Sequence, residues 1–402
     1  MIYFDNAATT TPKPESVLRG MERGFHVYGA NPGRSGHDMA IKTAKQVFEC
    51  REMLADFFHA KDVSNVVFTQ NCTQALNESI KGVLRQGDHV IISCLEHNSV
   101  LRPVHKLSLE GKITYSIAKV FENDDERTLR SYESLIRSNT KLIIATHGSN
   151  VCGLVLPIQK IGELAHSHGI LFLVDAAQSA GVLPIDMQRM NIDFLCMPGH
   201  KSLYGPSGTG VLITDHGETL DTIMEGGTGS SSTEYTQPEF MPDKLESGTV
   251  NVFGIIGLKE GLRYVRQKSL PVIYKHEMQI ASYIYTQLSR MPGVLLYTGP
   301  LKMGRNLPVI AFNIRGLDSE ETTEQLNQMG YALRGGYHCA PLAHEYMGTL
   351  EIGAARLSIG AFNTIEQAKR FCMDIKKLLK KTISIEFAGM CDRIILDMCN
   401  FV

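Results

Sequence analysis

Ile170-Leu171-Phe172-Leu173-Val174-Asp175, followed by Asp193-Phe194-Leu195-Cys196-Met197-Pro198-Gly199-His200-Lys201, is the stretch on which the fold turns. Residues 170–174 form a short apolar run without alternation, the pattern of a parallel strand buried on both faces. Asp175 closes that run. In open α/β sheets ligands bind beyond the carboxyl ends of the strands, so a carboxylate placed there faces a crevice rather than the core. The second run leads through Pro198-Gly199-His200 into Lys201 and brings an amine to the same rim. Taken singly, Lys201 reads as a loop lysine and Asp175 as an N-cap for Ala176-Ala177-Gln178.

The chain has 402 residues, more than one domain usually holds, so a large and a small domain are expected. A formal net charge of -2 and no long basic run leave no electrostatic footprint for nucleic acid or an anionic membrane. Neither is expected as a partner. No stretch reaches the roughly 18 apolar residues of a membrane span, and Ile2-Tyr3-Phe4-Asp5 follows Met1 without a basic-plus-apolar leader. The expected location is the cytoplasm. The 9 cysteines, an odd number, are scattered without CxxC or Cys/His metal spacing. That pattern points to free thiols in a reducing compartment and to no metal site.

From Val66 to Ile213 apolar runs alternate with helix-like segments, as in a doubly wound, mainly parallel sheet. Strands are expected at Val66–Phe68, His89–Ser93, Ile113–Ile117, Leu142–Thr146, Ile170–Val174, Phe194–Met197 and Gly210–Thr214. Helical spacing marks Thr73–Leu84, Ser99–Leu109, Ser131–Arg137 and Ile158–His168. Beyond Gly257 one long helical stretch runs to Leu288, followed by strands at Pro308–Asn313 and Tyr331–Arg334. Thr364-Ile365-Glu366-Gln367 fits a capping box opening a helix to Leu379. The expected organisation is a large α/β domain at 14–262 and a smaller α+β domain at 263–381 completed by residues 1–13. The apolar stretch 382–402, with Cys391 and Cys399, is expected to serve packing or a dimer contact.

An imine-forming lysine with an upstream aspartate able to pair a protonated pyridine nitrogen is what pyridoxal phosphate chemistry requires. Other segments occur in a telling order: Tyr3-Phe4-Asp5-Asn6-Ala7-Ala8-Thr9-Thr10, Glu96-His97-Asn98-Ser99, Ser149-Asn150-Val151-Cys152-Gly153, Asp175-Ala176-Ala177-Gln178, Gly199-His200-Lys201 and Glu246-Ser247-Gly248-Thr249. Arg334-Gly335-Gly336-Tyr337-His338-Cys339-Ala340-Pro341-Leu342 and Ala355-Arg356-Leu357-Ser358 follow. In order and spacing the set resembles the class V aminotransferase-type enzymes, specifically the cysteine desulfurases and selenocysteine lyases, over residues 1 to 381.

That resemblance implies the type I fold of pyridoxal-phosphate-dependent transferases, with pyridoxal 5'-phosphate as cofactor and Lys201 as its Schiff-base lysine. A phosphate dianion needs N–H groups at a helix N-terminus plus hydroxyl or cationic donors, and Gln70-Asn71-Cys72-Thr73 is placed to supply them. By resemblance Cys72 and Thr73 form the phosphate loop, His200 adds a donor, and Thr249 crosses to the neighbouring subunit of a homodimer. His97 is implied to stack on the ring and move protons, and Asp175 to hold the ring nitrogen. Asn150 and Gln178 are implied to approach the phenolic oxygen, Asn150 also helping to place the substrate. Arg356 is implied to clamp the substrate carboxylate, with Arg334 a second candidate. Cys339 matches the nucleophilic cysteine, its thiolate favoured by positive charge from His338 or Arg334.

Each residue also has a bland alternative. A lone histidine is more often structural, an arginine as often a surface ion pair, and a free cysteine more often a small buried hydrophobe. Two departures stand out: Pro198 replaces a hydroxyl residue common in relatives, and Ser202 is an extra residue after His200-Lys201. The expected reaction takes L-cysteine to L-alanine and leaves a persulfide on Cys339 for a thiol or a sulfur-acceptor protein. The rivals are a selenocysteine lyase, a cysteine or cystine β-lyase giving pyruvate, and a persulfide carrier without turnover. A pure carrier needs none of Lys201, Asp175 and Arg356.

Overall fold

The computed structural model describes residues 1–33 and 36–380; the stretch 382–402 and its expected packing role lie outside them. The chain opens with β1 (Ile2–Tyr3), α1 (Glu15–Val27) and α2 (Asp38–Phe58). A seven-stranded sheet follows, built from β2 (Val66–Thr69), β3 (His89–Ser93), β4 (Thr114–Ala118), β5 (Thr140–Thr146), β6 (Leu171–Asp175), β7 (Phe194–Pro198) and β8 (Gly210–Thr214). Its spatial order is β2-β8-β7-β6-β5-β3-β4, and β8 alone runs against the rest. Helices α3 (Cys72–Val83), α4 (Asn98–Leu109), α5 (Asp125–Glu133) and α6 (Ile158–Ser167) make the crossovers that parallel pairing requires.

The inner strands are largely apolar because both faces are covered, while the edge strand β4 is partly exposed. Val66, Phe68, Ile91, Ile143, Phe172 and Leu195 pack on one face, and Val67, Val90, Ile92, Leu142, Leu173 and Cys196 on the other. Successive side chains point to opposite sides of the sheet, so neither set could be polar.

Beyond the sheet lie α7 (Val252–Lys268), α8 (Leu270–Leu288), β9 (Val294–Leu296), β10 (Val309–Ile314), α9 (Ser319–Gln328), β11 (Tyr331–Ala332), α10 (Pro341–Met347), β12 (Ala355–Ser358) and α11 (365–380). A second sheet, β12-β10-β9, is antiparallel, and β1 pairs in parallel with β11. Phe4 stacks on Tyr331 and meets Phe371 edge-on, so the first residues belong to this second core. Thr364 and Gln367 exchange the two hydrogen bonds of a capping box at the start of α11.

Three expectations need correction. The helix placed at Ser131–Arg137 starts earlier, at Asp125, because the Asp124 carboxylate accepts the Arg127 N–H and caps it there. The single helix to Leu288 is two: Ser269, at φ 64°, ends α7, and Pro271 suits the first turn of α8, where its missing N–H costs nothing. The strand at Tyr331–Arg334 stops at Ala332, with Arg334 bridged only to Arg356. Helices α1 and α2 and strand β12 carry no expectation from the sequence. The boundary at 262/263 falls inside α7, which packs along α1 and α2. We propose that the division lies at Ser269 instead.

Candidate active site

The carboxyl ends of β2, β3, β5, β6 and β7 converge on one cavity of about 230 Å³. It is lined by Cys72, Thr73, His97, Asn150, Asp175, Gln178, His200, Lys201 and Arg356, with Arg334 and His338 from the second domain's side. Two expected residues are not among its walls. Thr249 is exposed beside a separate hollow with Asn31, and Cys339 is exposed one residue beyond His338.

Asp175 ends β6 with its carboxylate buried, and the Ala177 N–H donates to Oδ1 at 2.9 Å. Burial raises its pKa, opposed by that N–H and by the Lys201 charge. Burial likewise lowers the Lys201 amine, opposed by Asp175. A lowered lysine pKa raises the share of free amine, the form that is both nucleophile and base. The Cys72 thiol points to Asp175 Oδ1 at 3.7 Å, away from any anion at the N-terminus of α3. Only the backbone of Cys72 is therefore left for a phosphate there, while the Thr73 hydroxyl stands at the cavity wall.

His97 is the N-cap of α4, and its Nδ1 accepts the Ser99 N–H at 3.1 Å. A backbone N–H can only donate, so the neutral ring carries its proton on Nε2. Burial, and after it the charges of Lys201, Arg334, Arg102 and Arg356, push this imidazole down to about 4. Ser99 Oγ bridges His97 Nδ1 at 2.9 Å and Thr73 Oγ1 at 2.8 Å, joining the ring to the anion pocket. His200 sits 3.1 Å from Thr9 Oγ1 and is likewise held neutral by burial, at about 4.

Arg356 is 1 % exposed, which excludes a surface ion pair. Nη2 donates to Asp5 at 2.6 Å and Nη1 to the Asn150 carbonyl at 3.0 Å, while Nε is buried without a partner. An unsatisfied guanidinium N–H costs free energy unless a ligand takes it, and a carboxylate is its natural acceptor. Asn150 donates through Nδ2 to the His338 carbonyl at 2.8 Å, and Gln178 to the Ala7 carbonyl at 3.0 Å.

The segment carrying Cys339 is held from below. Asn98 N–H donates to the Cys339 carbonyl at 2.7 Å, and His338 and Cys339 both have left-handed backbones, at φ 51° and 55°. The expectation that His338 supplies positive charge is wrong. Burial pushes its pKa far down, its Nε2 lies 3.2 Å from the Arg334 carbonyl, and its Nδ1 faces His344 Nε2 at 3.3 Å. A carbonyl only accepts, so Nε2 donates to it, Nδ1 accepts from His344, and His344 Nδ1 accepts from Thr349. Arg334 is left as the cation on this loop.

Sequence reasoning missed Asp5, Ser99, His344 and Lys13. Asp5 and Ser99 stand inside quoted segments, but their partners, Arg356 and Thr73, are too far off in the chain for spacing to reveal them.

A model of the family described as aminotransferase class-V matches residues 2–371. A probable cysteine desulfurase of Methanothermobacter thermautotrophicus is 34% identical over 97% of this chain and 95% of its own. A cysteine desulfurase of Synechococcus elongatus is 31% identical over 96% of this chain and 62% of its own length. Among solved structures, the apo cysteine desulfurase from Thermococcus onnurineus superposes with a TM-score of 0.87 at 29% identity, covering 94% of this chain and 95% of that one. The cysteine desulfurase CsdA from Escherichia coli does so at 0.83 and 26%, covering 94% of each. With an α/β sheet whose strand ends gather an amine, a buried carboxylate and an open guanidinium N–H, the chain belongs to the aminotransferase class-V family.

Proposed function

We propose that this protein is a cysteine desulfurase that uses pyridoxal 5'-phosphate. The observation that carries the reading is the convergence, in one cavity, of Lys201, Asp175 and the open Nε of Arg356, with Cys339 immediately beyond the wall. Bound there, the cofactor would supply an electron sink for the pair released at the substrate α-carbon. Thr73, His200 and the N-terminal N–H groups of α3 would hold its phosphate, with Asp175 at the ring nitrogen and Asn150 and Gln178 at the phenolic oxygen.

The chain's own residues then divide the work. Arg356 orients the substrate carboxylate, and Lys201, as free amine, takes the α-proton. His97, at the cavity wall, would stack on the cofactor ring, with its Nε2 proton available as a hydrogen-bond donor. The Cys339 thiolate attacks the substrate sulfur, the carbon–sulfur bond breaks, and the electron pair stays on carbon, which is protonated to alanine. The new sulfur–sulfur bond is a persulfide on Cys339, discharged by a thiol or a sulfur-acceptor protein. Product analysis with L-cysteine tests this: alanine with a Cys339 persulfide is expected, whereas pyruvate with free sulfide would make the protein a β-lyase. L-selenocysteine in the same assay measures any lyase preference.

The active unit of this proposal is a cytoplasmic homodimer. Thr249 stands exposed and away from its own cavity, and Ile41 and Phe48, seven residues apart, leave exposed apolar side chains on one face of α2. Among the described residues the cysteines are free, and no helix is long and apolar enough to cross a membrane. Thr249→Ala should lower cofactor retention without unfolding the protein, and sedimentation should give a dimer. A fully active monomer would exclude a crossing role for Thr249.

A further inference from the structure

Lys13 has no role in the mechanism above, yet it touches the loop on which that mechanism depends. Its Nζ donates to the His200 carbonyl at 2.6 Å and to Thr10 Oγ1 at 2.7 Å. Thr10 Oγ1 donates in turn to the Lys201 carbonyl at 2.8 Å, and the Thr10 N–H and Thr9 Oγ1 also reach the His200 carbonyl. Two consecutive carbonyls of the Schiff-base loop are thus gripped by the N-terminal segment, the same segment whose Asp5 holds Arg356.

The grip is unusual in its chemistry. Burial lowers the Lys13 amine to about 8, and among the described residues no carboxylate pairs with it; its two acceptors are neutral. His200, the titratable group whose pKa its charge lowers, is itself a cation when protonated. Half-burying an amine against neutral acceptors costs free energy, which its two hydrogen bonds to the His200 carbonyl and Thr10 offset.

We infer that Lys13 is the positioning residue of Lys201: by holding the His200 carbonyl it fixes the peptide plane from which the Lys201 side chain departs. The peptide unit is planar, so fixing its oxygen fixes its N–H and with it the backbone torsion of Lys201. The inference rests on Lys201 being the cofactor-linked lysine.

Amide hydrogen exchange on the full chain, with and without added pyridoxal 5'-phosphate, reads the grip directly. In Lys13→Met, exchange in residues 199–205 should quicken roughly ten- to hundredfold, the effect of losing a hydrogen bond from a charged donor. The amides of α3 and α6 should not change. Lys13→Arg, which keeps a charged donor, should restore most of the protection. In turnover, Lys13→Met should lower kcat roughly tenfold or more while leaving KM for cysteine unchanged, as expected when the reacting group is misplaced but the substrate clamp is intact. Unchanged exchange at 199–205 in Lys13→Met, or faster exchange over the whole chain alike, overturns the inference. Should borohydride mapping find the cofactor on a lysine other than Lys201, the exchange result stands and only its catalytic consequence is lost.

Discussion

Cys339→Ala will bind L-cysteine and change the spectrum of the cofactor as the unaltered protein does, yet alanine release will fall on the order of a thousandfold or more. The argument turns on what happens to sulfur. In desulfuration a thiolate must attack the substrate sulfur, and Cys339 is the exposed thiol next to the cavity wall, whereas Cys72 and Cys196 are buried with pKa values pushed well up by desolvation. A buried thiol so raised offers almost no thiolate near neutrality. Mass spectrometry of the variant after turnover should find no persulfide. If the variant instead makes sulfide and pyruvate from cysteine at near the original rate, Cys339 is structural and the protein is a β-lyase. Selenium leaves carbon more readily than sulfur, so residual activity on selenocysteine alone does not bear on the assignment.

Lys201→Ala will abolish the borohydride-trappable cofactor linkage and lower turnover roughly ten-thousandfold or more, because one side chain supplies both the amine and the base. The cavity also contains His97, but its Nδ1 is tied to the Ser99 N–H and its ring is held down to about 4, which makes it a weak base. Peptide mapping after reduction of the unaltered protein should place the label on Lys201. Label on another lysine would sink the central assignment, since among the described residues Lys201 alone of the lysines lines this cavity.

The sheet was legible because its inner strands are buried on both faces and therefore written as apolar runs; six of the seven expected runs lie within a residue of the strands found, and β5 alone starts two residues earlier than expected. The rim residues followed from the same logic, since Asp175 and Lys201 sit where strands end. What could not be read is what depends on contacts far apart in sequence. Asp5 meets Arg356 and Ser99 meets Thr73 only after folding. The state of His338 was misjudged because a histidine beside a cysteine looks like a cation in sequence, whereas burial against His344 and the Arg334 carbonyl makes it a neutral relay. Helix starts failed where a cap lay upstream of the apolar periodicity, as at Asp124.

The paired left-handed backbones at His338 and Cys339 give the thiol loop a mechanical character. Each costs about 1–2 kcal/mol in a residue with a side chain, and a hydrogen bond returns a net of about 0.5–1.5 kcal/mol. That load is carried by bonds from four directions: Asn98 N–H at the Cys339 carbonyl, Asn150 at the His338 carbonyl, and the Arg334 carbonyl and His344 at the His338 ring. Asn150 is also a wall of the cavity, and its second amide hydrogen is free to answer whatever enters there. What enters the cavity and how the thiol loop is held thus meet in one side chain, Asn150.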